Sequence, residues 1–428
     1  MLWRTKSNHS QAEDLSRTAS ASNNDPAASA TAAAGTAWLA GHLKHLTPEQ
    51  EEKLVEFKKV CAERGYYTAA EGEKPASHDD ATLLRFLRAR RFDVEGAWGQ
   101  FKDTEDWRKE NAIESLYENI GVDSYEAARR MYPQWTGRRD RRGIPIYVFE
   151  IRHLNSKEMA AYNSTVSSAI PETHKSSSVP ARLLNLFALY ENLLHFTMPL
   201  CTALSRPNPE TPIVTSTNIV DVSGVGLKQF WNLKSHMQDA SVLATAHYPE
   251  TLDRIFIVGA PGFFPTVWGW IKRWFDPGTT SKIFILSAAE VQPTLTSFMD
   301  PASIPKQYGG ELEWQWGDMP NLDEPASELL KGAQVQEGDK KSLLKGPMLF
   351  KGDQIEVLGT ENGKDRRNTI PVPTAQQKPM SEATEIADKP TESASDAEST
   401  PVPTENEKVA VNIDQVSAEE AQTTTAAA

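Results

Sequence analysis

Only two of the 428 residues are cysteine, Cys61 and Cys201. Two thiols build neither a disulfide scaffold nor a tetrahedral cysteine zinc site, and the sparse usage fits a reducing compartment. Long apolar runs are also missing. No stretch of roughly 18 purely apolar residues exists, so a spanning helix is not expected. The nearest, Ile255–Ile271, is uncharged but is broken by Gly259, Pro261, Gly262, Pro265 and Gly269. Met1-Leu2-Trp3-Arg4 turns polar too soon for a secretory signal. Leu2 excludes myristoylation, and Ala426–Ala428 offers no cysteine for prenylation. Any membrane contact must therefore come from the folded surface. Basic charge is short as well: the net charge is −13, which argues against a nucleic-acid-binding chain.

Aromatic residues are absent between Arg4 and Ala37 and again after Phe350. Apolar residues make up 39% of the chain, below the ordinary globular share, as expected of a real core diluted by polar ends. Residues 371–428 hold eleven acidic and three basic residues among Pro, Thr, Ser and Ala. Such a segment buries too little apolar surface to offset its ordering entropy. The expected organisation is a disordered tail over 1–37, a helical lobe over 38–131, an α/β domain over 132–324, and a mostly disordered acidic tail over 325–428. Within that tail, Leu343–Phe350 and Ile355–Leu358 are apolar enough to dock. No internal repeat is visible.

Thr47-Pro48-Glu49-Gln50 reads as an N-cap, an N1 proline and a capping-box partner. Leu54, Phe57 and Cys61 follow at helical spacing. Further helices are expected after Asp79 or Asp80, after Asp93 and near 114–131. From Gln134 the period shortens to a strand, the turn Arg138–Gly143 and a second strand. Helices near 155–162 and 180–200 precede an alternating series: strand Ile213–Val222, helix Leu227–His247, strand Arg254–Val258, helix Pro265–Phe275 and strand Lys282–Leu286. Ile255–Val258 and Ile283–Leu286 are continuous apolar runs, which suits strands buried on both faces of a largely parallel sheet. Few helices remain after Gln134. One sheet face therefore either lines a cavity or meets a conventional second helical layer.

No Gly-rich phosphate loop, nucleophile elbow or zincin motif is present, so neither a catalytic residue nor a resident metal or cofactor is expected. Gly359–Lys364 is too short for a Walker loop. His42 and His45 lack a third ligand and read as a polar helix face. The segment with distinctive surface chemistry is Phe264–Phe275. On a helical wheel Val267, Trp268, Ile271, Trp274 and Phe275 share one arc, Trp270 lies at its edge, and Lys272 and Arg273 flank it. A tryptophan-rich face bordered by cations suits a bilayer interface. The same stripe can instead pack on the protein's own core, or cover a cavity when closed and meet membrane when open. Arg85, Arg88, Arg90 and Arg91, and then Arg138, Arg139, Arg141 and Arg142, form two basic runs. Each reads as a solvated face or as a surface for phosphate and anionic lipid.

Four segments carry a resemblance. DATLLRFLRARRFDV (Asp80–Val94), YPETLDRIFIVGAP (Tyr248–Pro261), FDPGTTSKIFIL (Phe275–Leu286) and IPKQYGG (Ile304–Gly310) resemble the CRAL-TRIO proteins, in order and spacing, over about Thr47 to Gly310. The likeness is strongest to the fungal Sec-fourteen-type phosphatidylinositol/phosphatidylcholine transfer proteins. It implies a helical N-terminal lobe, then a sheet flooring a lipid cavity behind a helical gate at Val267, Trp268, Trp270, Ile271, Trp274 and Phe275. It also implies an inositol-headgroup set of Arg90, Arg91, Glu250, Thr279 and Lys282. Tyr147, Tyr190 and Ser216 match the family's choline-lipid pocket. Asn218 departs from it, and Trp135 replaces a tyrosine while remaining able to face a quaternary ammonium. The resemblance further implies a non-enzymatic, cytoplasmic monomer whose ligand is phosphatidylinositol, with phosphatidylcholine as a candidate second ligand. Such a protein would touch Golgi or other internal membranes transiently and present lipid to a phosphatidylinositol kinase. A carrier of a sterol or isoprenoid and a non-transferring scaffold are the alternatives. The insertion Asn163–Val179 has no assigned role.

Overall fold

The computed structural model describes residues 37–168, 174, 179–274, 280–338 and 340–373. The first helix is fixed by its capping chemistry. Thr47 Oγ1 accepts from Gln50 N at 3.2 Å, and the Gln50 side chain accepts from Thr47 N at 3.1 Å. With Pro48 leading, helix α1 spans Pro48–Glu63. The Asp79 carboxylate accepts from Thr82 N at 2.7 Å and opens α2, Asp80–Ala89. Helix α3 spans Val94–Glu110. Phe57 and Cys61 of α1, Leu83 and Leu87 of α2, and Phe101 of α3 form one buried cluster.

The region expected to be helical near 114–131 is two short helices, α4 (Ile113–Asn119) and α5 (Val122–Arg129). Their Ile113, Leu116 and Ala128 share a core with Phe187, Phe230 and Ile257. The helical lobe and the α/β region are thus joined by a common core.

The central sheet has the order β1-β2-β3-β4-β5: Gln134–Arg139, Pro145–Glu150, Ser216–Asp221, Leu252–Val258 and Ile283–Ile285. β1 and β2 are antiparallel; the other neighbours are parallel. The strands' two-residue period divides the sheet into two chemically different faces. Ile146, Val148, Ile219, Phe256 and Phe284 pack against Leu295 and Phe298 of α11, Ala288–Phe298. Tyr147, Phe149, Asn218, Val220 and Ile255 point the other way and line a cavity. The alternative in which one face borders a cavity is therefore the one observed.

Five further helices complete this part of the chain. Helix α7 (Ala181–Asn192) runs through a π-turn at Leu193–Thr197 into α8 (Met198–Ala203); α6 is Ser156–Ser168. Helix α9 spans Leu227–His247 and α10 spans Phe264–Ile271, followed by a 3₁₀ turn at Lys272–Trp274.

The expectation for residues 325–428 needs correction over its described part. Helix α12 (Glu324–Leu329) is followed by strands β6 (Gln334–Glu337), β7 (Lys340–Leu343), β8 (Met348–Phe350), β9 (Gln354–Val357), β10 (Thr360–Glu361), β11 (Lys364–Asp365) and β12 (Asn368–Pro371). Leu330, Leu343, Met348, Phe350, Ile355 and Val357 join Trp135, Phe196, Leu200 and Leu204 in one core. The segment is ordered because the α/β body supplies about a third of that core. Gly359–Lys364 belongs to a hairpin turning at Asn362 and Gly363, with φ 52° and 72°, the Asn-Gly signature of a two-residue loop. The expected tails over 1–36 and 374–428 lie outside the described residues.

Candidate functional site

The cavity has a volume of about 550 Å³. Its floor is the second sheet face. Leu186, Leu189 and Tyr190 of α7 and His236, Met237 and Ala240 of α9 line it from the helices. Arg90, Arg91 and Glu250 also line it, as do Trp135, Leu343, Leu344 and Met348.

The polar margin is built by backbone conformation. Helix α2 ends at Ala89, and the chain then places Arg91 and Phe92 at φ 53° and 63°. This left-handed pair is uncommon for side-chain-bearing residues and turns the chain sharply. It leaves the Arg90 and Arg91 side chains exposed beside the helix's negative end, where cations are favoured. Among the described residues neither is in an ion pair. Glu250 is also left-handed, at φ 57°, immediately before β4. Its Oε2 lies 3.0 Å from Arg88 Nη2 and 3.5 Å from Lys282 Nζ. Lys282 also donates to Leu252 O at 3.0 Å. Arg90, Arg91 and Glu250 thus meet on the cavity lining, and Lys282 reaches them through Glu250. Thr279 lies outside the described residues.

Trp135, Tyr147, Tyr190 and Ser216 all line the same cavity, as does Asn218. Tyr147 donates to Thr197 Oγ1 at 3.2 Å, and Trp135 Nε1 donates to Arg138 O at 3.2 Å. Asn218 Nδ2 donates to Ser216 Oγ at 3.1 Å, so the residue that departs from the family pattern still joins the same polar group. The Tyr190 ring stacks on Tyr248 at 4.5 Å, and burial pushes its phenol up to about 12. Behind it, Glu191 accepts from Tyr248 at 2.9 Å and from both Arg108 nitrogens at 2.7 and 3.0 Å. Burial alone would raise the Glu191 carboxyl. Arg108 and His195 overcome that and hold it well below the usual range. These groups form a fixed charged wall rather than a catalytic pair.

The helix expected to act as a gate is placed differently. Val267 is buried, and Trp268, Trp270 and Ile271 pack half-buried on the large core. Trp270 meets Trp231 of α9 with ring centroids 5.2 Å apart. No residue of α10 lines the cavity; α9 does, and α10 packs outside it. The stripe is thus internal packing in this conformation, with Lys272 and Arg273 exposed. Trp274 lies in the following 3₁₀ turn, and Phe275 lies outside the described residues.

The basic runs are also corrected. Arg85 is buried and its guanidinium faces Pro249 O at 3.4 Å; burial lowers its pKa to about 10. Arg138 donates to Asn321 at 2.8 Å and Arg139 to Asp323 at 2.8 Å. Arg142 bridges Asp140 at 2.6 Å and Asp253 at 2.5 Å. The second run is neither a solvated face nor a lipid surface. His42, expected on a polar helix face, is buried, with its Nδ1 3.2 Å from Leu39 O. Both cysteines are free and buried, and burial raises each thiol to about 12. Among the described residues no group of side chains is suited to a metal ion, and no helix is long and apolar enough to cross a membrane.

This arrangement can be set beside known proteins. The model of the CRAL/TRIO domain matches residues 129–310, and that of the CRAL/TRIO N-terminal domain matches 53–103. The SEC14 cytosolic factor of Kluyveromyces lactis is 30% identical over 275 residues, covering 64% of this chain and 82% of the relative. The SEC14 cytosolic factor of Eremothecium gossypii is 32% identical, covering 64% and 80%. The chain belongs to the CRAL-TRIO family. A phosphatidylinositol/phosphatidylcholine transfer protein of Arabidopsis thaliana, SFH7, is 31% identical over 55% of this chain and 40% of its own length. A crystal structure of Sfh5 aligns with a TM-score of 0.45 and 17% identity, over 66% of this chain and 96% of that one.

The CRAL-TRIO match ends at Gly310, yet cavity-lining residues continue to Met348. Leu343, Leu344 and Met348 fall in a stretch whose apolar residues marked it as able to dock, but nothing in the sequence tied it to the cavity. Other lining residues left a weak signal. Ala240 and Ala244 of α9, four residues apart and in line with His236, are small residues that let a helix border open space.

Proposed function

We propose that this CRAL-TRIO protein binds one phospholipid in the cavity and moves it between membranes, or presents it there, without chemistry on the ligand. The observation that carries the reading is the juxtaposition of a roomy, largely apolar cavity with a charged margin. Burying a methylene is worth about 0.8 kcal/mol, so a diacyl lipid with about thirty would cost on the order of 25 kcal/mol to expose. A dry cavity removes that barrier. Arg90 and Arg91 are exposed cations able to bond a phosphodiester, with Lys282 near and Glu250 able to accept from inositol hydroxyls. Thr279 is assigned to the same headgroup set by the family motif. Phosphatidylinositol is therefore the proposed ligand. Trp135, Tyr147, Tyr190 and Ser216 support phosphatidylcholine as a second, because an aromatic box attracts a quaternary ammonium.

The names of the relatives, cytosolic factors and lipid transfer proteins, support a cytosolic lipid carrier. Transient contact with Golgi or other internal membranes and supply of a lipid kinase extend that reading by family resemblance alone. Loading requires an opening. Since α9 borders the cavity and α10 packs on α9, the pair would move together, carrying Trp268, Trp270, Lys272 and Arg273 to the bilayer.

Native mass spectrometry of the purified full chain tests the ligand. A retained phosphatidylinositol is expected; a sterol or isoprenoid, or no retained lipid even after incubation with phospholipid vesicles, rejects the reading. For the gate, a Trp268→Ala/Trp270→Ala double variant should slow vesicle-to-vesicle transfer about tenfold or more while still retaining lipid, given the interfacial preference of tryptophan. Full-speed transfer by that folded variant would count against it.

A further inference from the structure

We propose that the C-terminal β segment, residues 324–371, is a functional wall of the lipid cavity and limits the acyl-chain length it accepts. This rests on the phospholipid reading above. The sheet order supplies the geometry. Glu250 precedes β4 and Lys282 precedes β5, at one edge of the sheet, while Trp135 is on β1 at the other. Three strand spacings of about 4.8 Å separate β1 from β4, roughly 14 Å, the greater part of an extended acyl chain. The polar margin with Arg90, Arg91 and Glu250 therefore stands most of a chain's length from the β1 edge. There Phe196, Met319, Leu343, Leu344 and Met348 line the cavity beside Trp135. These five offer hydrocarbon to hydrocarbon, and three of them lie in the added segment.

The segment is anchored as a wall should be. The Tyr117 hydroxyl donates to Met348 O at 2.6 Å and accepts from Met348 N at 3.2 Å. Buried Glu126 accepts from Gly346 N at 3.0 Å and pairs with Arg129 at 2.7 Å. Gly359 N and Thr360 N donate to the carbonyls of Glu118 and Ile120 at 3.1 and 3.0 Å. These contacts fix the 343–348 stretch between the helical lobe and β1, so that its side chains present a defined surface to the cavity. A close-packed wall is sensitive to changes of a single methylene. Leu344, only partly buried and less constrained than Met348, is the position at which the wall can be moved without breaking an anchor.

The test exchanges Leu344 in opposite directions in the full chain. Leu344→Trp and Leu344→Ala proteins are loaded from vesicles of phosphatidylinositol with mixed acyl chains, and the retained species are read by native mass spectrometry. Leu344→Trp should shift the retained distribution toward shorter chains by roughly two methylenes, and Leu344→Ala toward longer ones. Unchanged or same-direction distributions in folded, lipid-loaded variants would overturn the wall. Should the wild-type protein retain no phospholipid at all, the functional reading fails first and the wall with it. Circular dichroism and melting temperature identify a variant that fails to fold; in that case Leu344→Met and Leu344→Val, which preserve the packing, repeat the comparison.

Discussion

The two arginine-rich segments look alike in sequence and are placed differently in the fold. Each places four arginines within a few residues. In the first, Arg85 and Arg88 turn inward to Pro249 and Glu250, and Arg90 and Arg91 stay exposed at the cavity lining. In the second, Arg138, Arg139 and Arg142 are taken up by Asn321, Asp323, Asp140 and Asp253, and Arg141 donates to Ser297 O at 3.2 Å. What separates an exposed cation on the cavity lining from a structural one is the supply of partners. The second run meets carboxylates brought in by distant strands and by the C-terminal segment. The end of the first run is carried past its helix by a left-handed turn, and among the described residues Arg90 and Arg91 are in no ion pair.

The comparison breaks most visibly at Arg142. Its guanidinium bridges two buried acids: burial still holds the Asp140 carboxyl above its usual range, while at Asp253 the same burial is overcome by Arg142 and the carboxyl is lowered. Arg142→Ala strands that pair and should cost about 3–5 kcal/mol of stability. Urea unfolding measures it. A loss below about 1 kcal/mol would show that the second run is as dispensable as an exposed one.

How much of this was legible beforehand follows from the range over which each signal acts. The capping residues Thr47 and Asp79 and the apolar runs Ile255–Val258 and Ile283–Leu286 are local, and their helices and strands lie where the pattern places them. The cavity face was visible only as a shortage of helices. The partners of Arg142 and Arg139 were not legible, because Asp253 and Asp323 are 111 and 184 residues away. The docking of 324–371 was legible only as the apolar stretches Leu343–Phe350 and Ile355–Leu358; the place they dock was not, because the strands have two to four residues each and the core they join is completed by Trp135, Phe196 and Leu200. The apolar stripe of α10 was visible, but no local pattern could say whether α9 or a bilayer would cover it. Among the headgroup candidates, the motifs located Arg90, Arg91, Glu250 and Lys282. The left-handed backbone at Arg91 and Glu250 carries no glycine to announce it.

A second, smaller effect tests the inward half of the first run. His42 is buried, and burial, followed by the charge of Arg88, lowers its pKa from 6.5 to about 3; Asp253 opposes this weakly. The unfolded chain therefore takes up a proton near pH 6.5 that the folded chain refuses. Stability should be whole above pH 6.5 and fall as pH drops toward 3, by about 1.4 kcal/mol per pH unit at full slope for one proton. His247, lowered to about 4 by burial and Arg108, adds a second proton over part of that window. Unfolding free energies of wild type and His42→Gln at pH 7, 6, 5 and 4 separate the two. The variant should lose one proton's worth of slope; parallel curves would mean that His42 does not feel Arg88 from within the fold.

The smallest effect bears on the binding half of the comparison, and it is the most selective. Lys282 makes a 3.5 Å contact with Glu250, which Arg88 also holds at 3.0 Å. Removing Lys282 therefore leaves the carboxylate partnered, and unlike Arg142→Ala it strands no buried charge. Lys282→Ala should keep its melting temperature within the scatter of ordinary surface variants, about 0.5 kcal/mol. Loss of a charge-assisted bond to the headgroup should nonetheless weaken phosphatidylinositol retention by about tenfold, while phosphatidylcholine retention stays within about twofold. Vesicle-transfer assays with each lipid separately measure both. Equal loss of the two lipids would place Lys282 outside the headgroup set and leave Arg90 and Arg91 as its only cations. A large stability loss with no lipid selectivity would make Lys282 a structural residue of the same kind as Arg142, erasing the distinction between the cations that hold the fold and those that face the ligand.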